Sequence, residues 1–89
     1  MKYTVLWSPE AEAQLANVWL DATDRDAIQR TADTIDDRLE MNPYQLSESR
    51  EGSLRIAIYF PLGIEYEVIE DDKEVVVLGV WVPRTRGTR

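Results

Sequence analysis

The sequence predicts an α+β domain with the element order β-α-α-β-β-β, in which a helical hairpin packs on one face of a mainly antiparallel four-stranded sheet. Three observations predict it. A short alternating stretch at residues 3–7 precedes two segments of helical period. Those two segments are joined too closely for anything but a helical hairpin. From residue 54 onward the apolar period falls to two, so helices give way to strands. With 89 residues, 44% of them apolar, the chain can build one core, and residues 1–89 read as a single domain.

Each element follows from its residues. Tyr3, Val5 and Trp7 alternate with Thr4 and Leu6 as a short strand. Ser8-Pro9 then changes the regime, because Ser caps a helix and Pro suits its first turn. Ala11, Leu15, Val18, Trp19 and Ala22 recur at helical spacing, which predicts an amphipathic helix over 9–22. Thr23, with Asp26 three residues on, resembles a capping box and opens a second helix over 24–41. Its apolar stripe is Ile28, Ala32, Ile35 and Leu39, and Asn42-Pro43 ends it. Leu15, Val18, Trp19, Ile28, Ile35 and Leu39 are the residues expected to hold the hairpin on the sheet.

Residues 43–53 are polar without a period and read as a loop. Leu54, Ile56 and Ile58 alternate with Arg55, Ala57 and Tyr59 as a strand, and Phe60-Pro61-Leu62-Gly63 interrupts with a turn or bulge. Ile64, Tyr66 and Val68 alternate with acids to give the next strand. Glu70-Asp71-Asp72-Lys73 is a polar turn without the ligand spacing of a cation loop. The unbroken apolar run Val75 to Val82 suggests a central strand covered on both faces or nearly so. It is longer than a small sheet requires for its own core.

Composition removes whole classes of chemistry. With no Cys there are no disulfides, thiolate nucleophiles or thiolate metal sites, and with no His the usual imidazole base and metal ligand are gone. No metal site and no cofactor is implied. No run reaches the ~20 apolar residues of a membrane helix, and Met1-Lys2-Tyr3-Thr4 does not read as a signal peptide. A cytoplasmic protein is the expectation.

Charge is uneven. The net charge is −7; residues 1–49 hold four bases and ten acids, whereas residues 50–89 hold six bases and seven acids. The last seven residues carry Arg84, Arg86 and Arg89 and no acid. Such a chain is compatible with a local anion site and not with a broad nucleic-acid surface.

Order and local signatures together resemble the RelE/ParE superfamily, the toxins of type II toxin–antitoxin (plasmid stabilisation) modules. "YTVLWSPEAEAQL" is similar to that family's first strand and Ala/Leu-rich helix. "LEMNPYQLSESREGSLR" resembles its second helix end and the loop into strand two. "FPLGIEYEVIEDDKEVVVLGVWVPR" resembles its final hairpin and last strand, with Tyr66 and Val68 in a Tyr-x-Val pattern. The resemblance spans residues 3–86. It implies either cleavage of mRNA at the ribosome or inhibition of DNA gyrase, with a cognate antitoxin protein as partner; a homodimer is a separate expectation. A toxin-fold binding module with a degraded site, retaining only antitoxin or self association, is the alternative.

Carried over residue by residue, the resemblance places Arg55 and Arg84 in catalytic positions; Arg50 and Arg86 are expected to join them in binding substrate if the strands bring all four to one mouth of the sheet. Where the family has an Arg opening strand three, this chain has Gly63, and an aromatic acid from a C-terminal extension has no counterpart. Arginine is a poor base because its pKa stays above ~12, so its role would be to clamp phosphate. Bland readings stand beside these: Arg55 as an exposed strand residue, and Arg84, Arg86 and Arg89 as a solvated tail. Trp81 packs in a core or interface or stacks a base, and Tyr59 and Tyr66 are structural or take part in proton transfer. Gly63 and the acidic net charge together predict weak or absent mRNA cleavage.

Overall fold

The computed structural model describes residues 2–45, 47–49 and 51–83. Strand β1 (Thr4–Trp7) leads into helix α1 (Pro9–Asp21) and helix α2 (Arg25–Met41). Four strands follow: β2 (Ser47–Ser49), β3 (Leu54–Tyr59), β4 (Leu62–Ile69) and β5 (Glu74–Trp81), with a 3₁₀ turn at Glu70–Asp72 before the last. The sheet order is β1-β5-β4-β3-β2; β1 runs parallel to β5 and every other pair is antiparallel. The α+β class and element order are as the sequence predicts, with one strand more. The extra strand, β2, lies in the stretch read as a loop. Three polar residues carry no apolar period, and only pairing with β3 makes them a strand.

The helix boundaries show how the chain satisfies its own backbone. Ser8 Oγ accepts from Ala11 N–H at 3.0 Å and starts α1. The second helix begins one residue later than the Thr23 signal suggested: Asp24 is the cap, its Oδ1 accepting from Ala27 N–H at 3.0 Å. A carboxylate there also suits the positive helix terminus. Arg25 reaches back to close α1, donating from Nε to Trp19 O at 3.0 Å and from Nη2 to Leu20 O at 2.9 Å. Its guanidinium sits 4.7 Å from the Trp19 ring centroid. That stack corrects the assignment of Trp19 to the core: the ring is 37% exposed and lies on the surface.

Both helices cover the same face of the sheet. Ala11, Ile28, Ile35 and Leu39 are buried against Ala57, Leu62, Ile64, Tyr66, Val75 and Val77, with Leu15 and Val18 partly buried beside them. Strand β5 is internal but is not covered on both faces. Val75, Val77 and Val80 are buried, whereas Val76 and Trp81 remain half-buried on the other side. There Val76 pairs with Leu6, which is 45% exposed. Leu78 has no partner on β4, a bulge that lets β5 change its alternation, and Val80 N–H donates to Gln14 Oε1 of α1 at 2.8 Å. The turn before β4 is tighter than the sequence suggested, because Leu62 and Gly63 already belong to the strand and only Phe60 and Pro61 are left to reverse the chain.

Candidate functional site

Arg55 is the one predicted site residue that lies among the described residues. It pairs across the ladder with Tyr66, whose side chain is buried, so it shares the helix-side face with Ala57 and Tyr59. Arg55 is therefore half-buried and is not a free solvent-facing strand residue. Its Nε donates to Ser47 Oγ at 2.8 Å, and its guanidinium carbon stands 5.1 Å from the centroid of the Tyr44 ring. The added strand β2 thus has a local consequence: it carries the hydroxyl that holds Arg55.

Behind Arg55 lies a polar cluster of four residues that joins three parts of the chain. Tyr44 Oη donates to Glu70 Oε1 at 2.5 Å, Tyr3 Oη donates to the same carboxylate at 3.1 Å, and Lys73 Nζ donates to Glu70 Oε2 at 2.5 Å. Lys73 has a left-handed backbone (φ 53°), uncommon without glycine, which closes the 3₁₀ turn. Its ammonium also lies 5.0 Å from the Tyr3 ring centroid. The Lys73 bond, then the Tyr44 bond, lower the Glu70 carboxyl to about 2. In return the bond to Glu70, followed by desolvation, pushes Tyr44 up to about 12. Nothing in the sequence beyond the i, i+3 spacing of Glu70 and Lys73 announces this cluster, because Tyr3, Tyr44 and Glu70 meet only in the fold.

Beneath it, Tyr66 Oη donates to Pro43 O at 2.5 Å, tying the end of α2 to the centre of the sheet. Burial raises the pKa of both Tyr66 and Tyr59. Three phenols held neutral and one carboxylate already accepting three bonds leave none of these four groups poised to move a proton at neutral pH. Among the described residues no group of carboxylates is placed to hold a metal ion. No helix there is long and apolar enough to cross a membrane.

Gly63 pairs with Trp81, and the indole occupies the space a side chain at 63 would need: a β-carbon would lie 2.7 Å from Trp81 Cε2. This contact is on the sheet face opposite the helices. Arg50, Arg84 and Arg86 lie outside the described residues. The fold therefore brings Arg55 together with Tyr44, Ser47 and Tyr66, and Tyr44 links this group to Glu70.

No protein-family model and no curated protein sequence matches the chain. Solved structures do. The RelBE2 toxin–antitoxin complex of Mycobacterium tuberculosis is similar with a TM-score of 0.77 at 17% identity, over 93% of this chain and 100% of that one. The chromosomal ParDE system of P. aeruginosa gives 0.71 at 16%, over 92% and 97%. The archaeal RelE–RelB complex of Pyrococcus horikoshii gives 0.69 at 21%, over 98% and 100%. The chain has the RelE/ParE toxin fold.

Proposed function

We propose that this protein is the toxin-like component of a type II toxin–antitoxin module and that it works by binding proteins and not by cutting RNA. The observation that carries this reading is the Gly63–Trp81 contact: where the resemblance expects a phosphate-binding Arg, an indole fills the space. The surrounding charge supports it. A chain of net charge −7 approaches RNA phosphate against long-range repulsion, and Arg55 is held by Ser47 against the Tyr44 ring. The partners are then a cognate antitoxin and, of the two targets the family implies, DNA gyrase. Three of the similar solved structures are of toxin–antitoxin systems, which supports a companion protein.

Induced expression with and without the neighbouring reading frame tests this, joined to a gyrase supercoiling assay and in vitro translation with primer-extension mapping. Growth arrest relieved by the neighbour, inhibited supercoiling and an uncut message are the expected results. Robust A-site cleavage would refute the reading, and the further loss of that cleavage in Arg84→Ala would restore the arginine site. The same contact favours a second reading, a binding module that retains only association. Co-purification of the neighbour without any growth arrest would select it.

A further inference from the structure

The tip of the helical hairpin and the turn into β4 border a trough of about 450 Å³ that lies apart from Arg55 and the Glu70 cluster. Val18, Ala22, Ile28, Pro61 and Val82 give it apolar walls, and Asp21 and Asp24 give it a negative edge. No Lys or Arg lines it. The edge is short of positive charge. Helix α1 has no base in its last turn, where the helix dipole favours one. Arg25, the nearest base in the chain, is committed to the carbonyls of Trp19 and Leu20 and to the Trp19 ring. Among the described residues the ion pairs are Lys2–Glu40 and Lys73–Glu70, so neither Asp21 nor Asp24 pairs with a base there. The chain itself carries the missing charge close by. Val82, on the trough's wall, is followed by Pro83 and then by residues 84–89, which hold Arg84, Arg86 and Arg89 and no acid. Residues 84–89 are outside the described residues. The four steps from Val82 to Arg86 span at most about 14 Å, so both Arg84 and Arg86 start within reach of the edge.

We propose that the segment after Pro83 docks on this trough as a self-contact, Arg84 and Arg86 laying their methylene stems on Val18, Ala22 and Pro61 and their guanidinium groups against Asp21 and Asp24. An exposed ion pair alone contributes little. Burial of the stems on an apolar wall adds what the charges lack, and a forked, weakly hydrated guanidinium suits a carboxylate partner. The consequence is autoinhibitory. The trough lies at the β3–β4 turn, whereas Arg55 lies near the other end of β3, roughly 13 Å from Tyr59 by strand rise. Arginines held at the hairpin tip are kept from joining Arg55 around an anion. The inference does not depend on the toxin-like reading, since it needs only the trough, its two carboxylates and the arginines that follow Pro83.

Proton NMR of the full chain tests this, with the methyl groups of Val18, Ala22 and Ile28 as reporters. Cross-relaxation from the δ-methylenes of Arg84 or Arg86 to those methyls is the expected result. Asp21→Asn combined with Asp24→Asn should weaken it by about threefold or more, the size of one or two exposed ion pairs. Asparagine caps a helix as aspartate does, so this variant keeps the start of α2, and unchanged Trp7 and Trp81 indole N–H signals check the fold. Asp71→Asn combined with Asp72→Asn makes the same change of net charge at the exposed turn before β5 and should leave the contacts in place. Arginine contacts to the Tyr44 ring in place of the trough, contacts to neither, or equal losses in both paired variants would overturn the self-contact. Growth arrest and companion binding are measured separately, so failure here leaves the toxin-like reading standing.

Discussion

The Trp81 indole stands in for the side chain that residue 63 lacks. The two residues are cross-strand partners, and a β-carbon on Gly63 would meet Cε2, Cζ2 and Nε1 of the ring at 2.7, 2.9 and 2.9 Å. Real β-carbons do not approach so closely, so any other residue at 63 must displace the ring. We predict that Gly63→Ala destabilises the fold by about 1–3 kcal/mol, the range for forcing extra atoms into a filled site. In a Trp81→Ala background the same change should cost far less. Urea denaturation of the four proteins of this cycle gives the coupling, and a cycle with no coupling would show that the ring does not close the site.

The hydrogen bond from Tyr66 to the Pro43 carbonyl is fully buried. Tyr66→Phe keeps the ring and removes the donor, leaving that carbonyl without its partner. A loss of about 1–3 kcal/mol is expected, the cost of an unsatisfied buried group. Chemical denaturation checks it, and a neutral substitution would mean that water replaces the phenol.

Leu39 is 1% exposed in the core beneath the end of α2. Leu39→Ala should cost about 2–5 kcal/mol through lost burial and the cavity left behind. A loss under about 0.5 kcal/mol would place this stripe outside the core, since that is the size of an ordinary surface change.

The Glu70 cluster makes a pH prediction of defined sign. The Glu70 carboxyl is lowered from 4.5 to about 2, so its contribution to stability is complete above the ordinary carboxylate range and is lost as pH falls through about 2. Tyr44 is raised from 10.0 to about 12, so its contribution is complete below about 10 and is lost as pH rises through about 12. Both groups are exposed, and added salt should draw both values back toward ordinary ones. NMR titration of the Glu70 carboxyl and phenolate absorbance follow the two groups. Lys73→Met should raise the Glu70 value; if it does not, Lys73 is not the principal cause of the shift.

Short-range periodicity made most of the framework legible. Ile28, Ala32, Ile35 and Leu39 repeat at helical spacing because one face of α2 is in the core, and they are all buried. Ser8 before Pro9 marked the first helix for a local reason, since the cap and the donor it satisfies are three residues apart. The same locality misled at Thr23, where two adjacent residues can each cap and the chain uses Asp24. It misled again at Trp19, where an aromatic on the apolar stripe finds its partner in Arg25 at the surface.

What the sequence by itself determined is therefore the α+β class, the order of its helices and main strands, the absence of thiol and imidazole chemistry, and the acidic balance. All of these depend on residue identity or on neighbours a few positions apart. Only the tertiary structure decided that Ser47–Ser49 is a strand, that Arg55 is held by Ser47, that Tyr3, Tyr44 and Lys73 converge on Glu70, and that Trp81 fills the space above Gly63. Tyr3 and Glu70 are 67 residues apart, and Gly63 meets Trp81 only through the register of β4 on β5. A contact between distant residues leaves no period in the chain, because it is created by sheet pairing and helix packing and not by the local backbone.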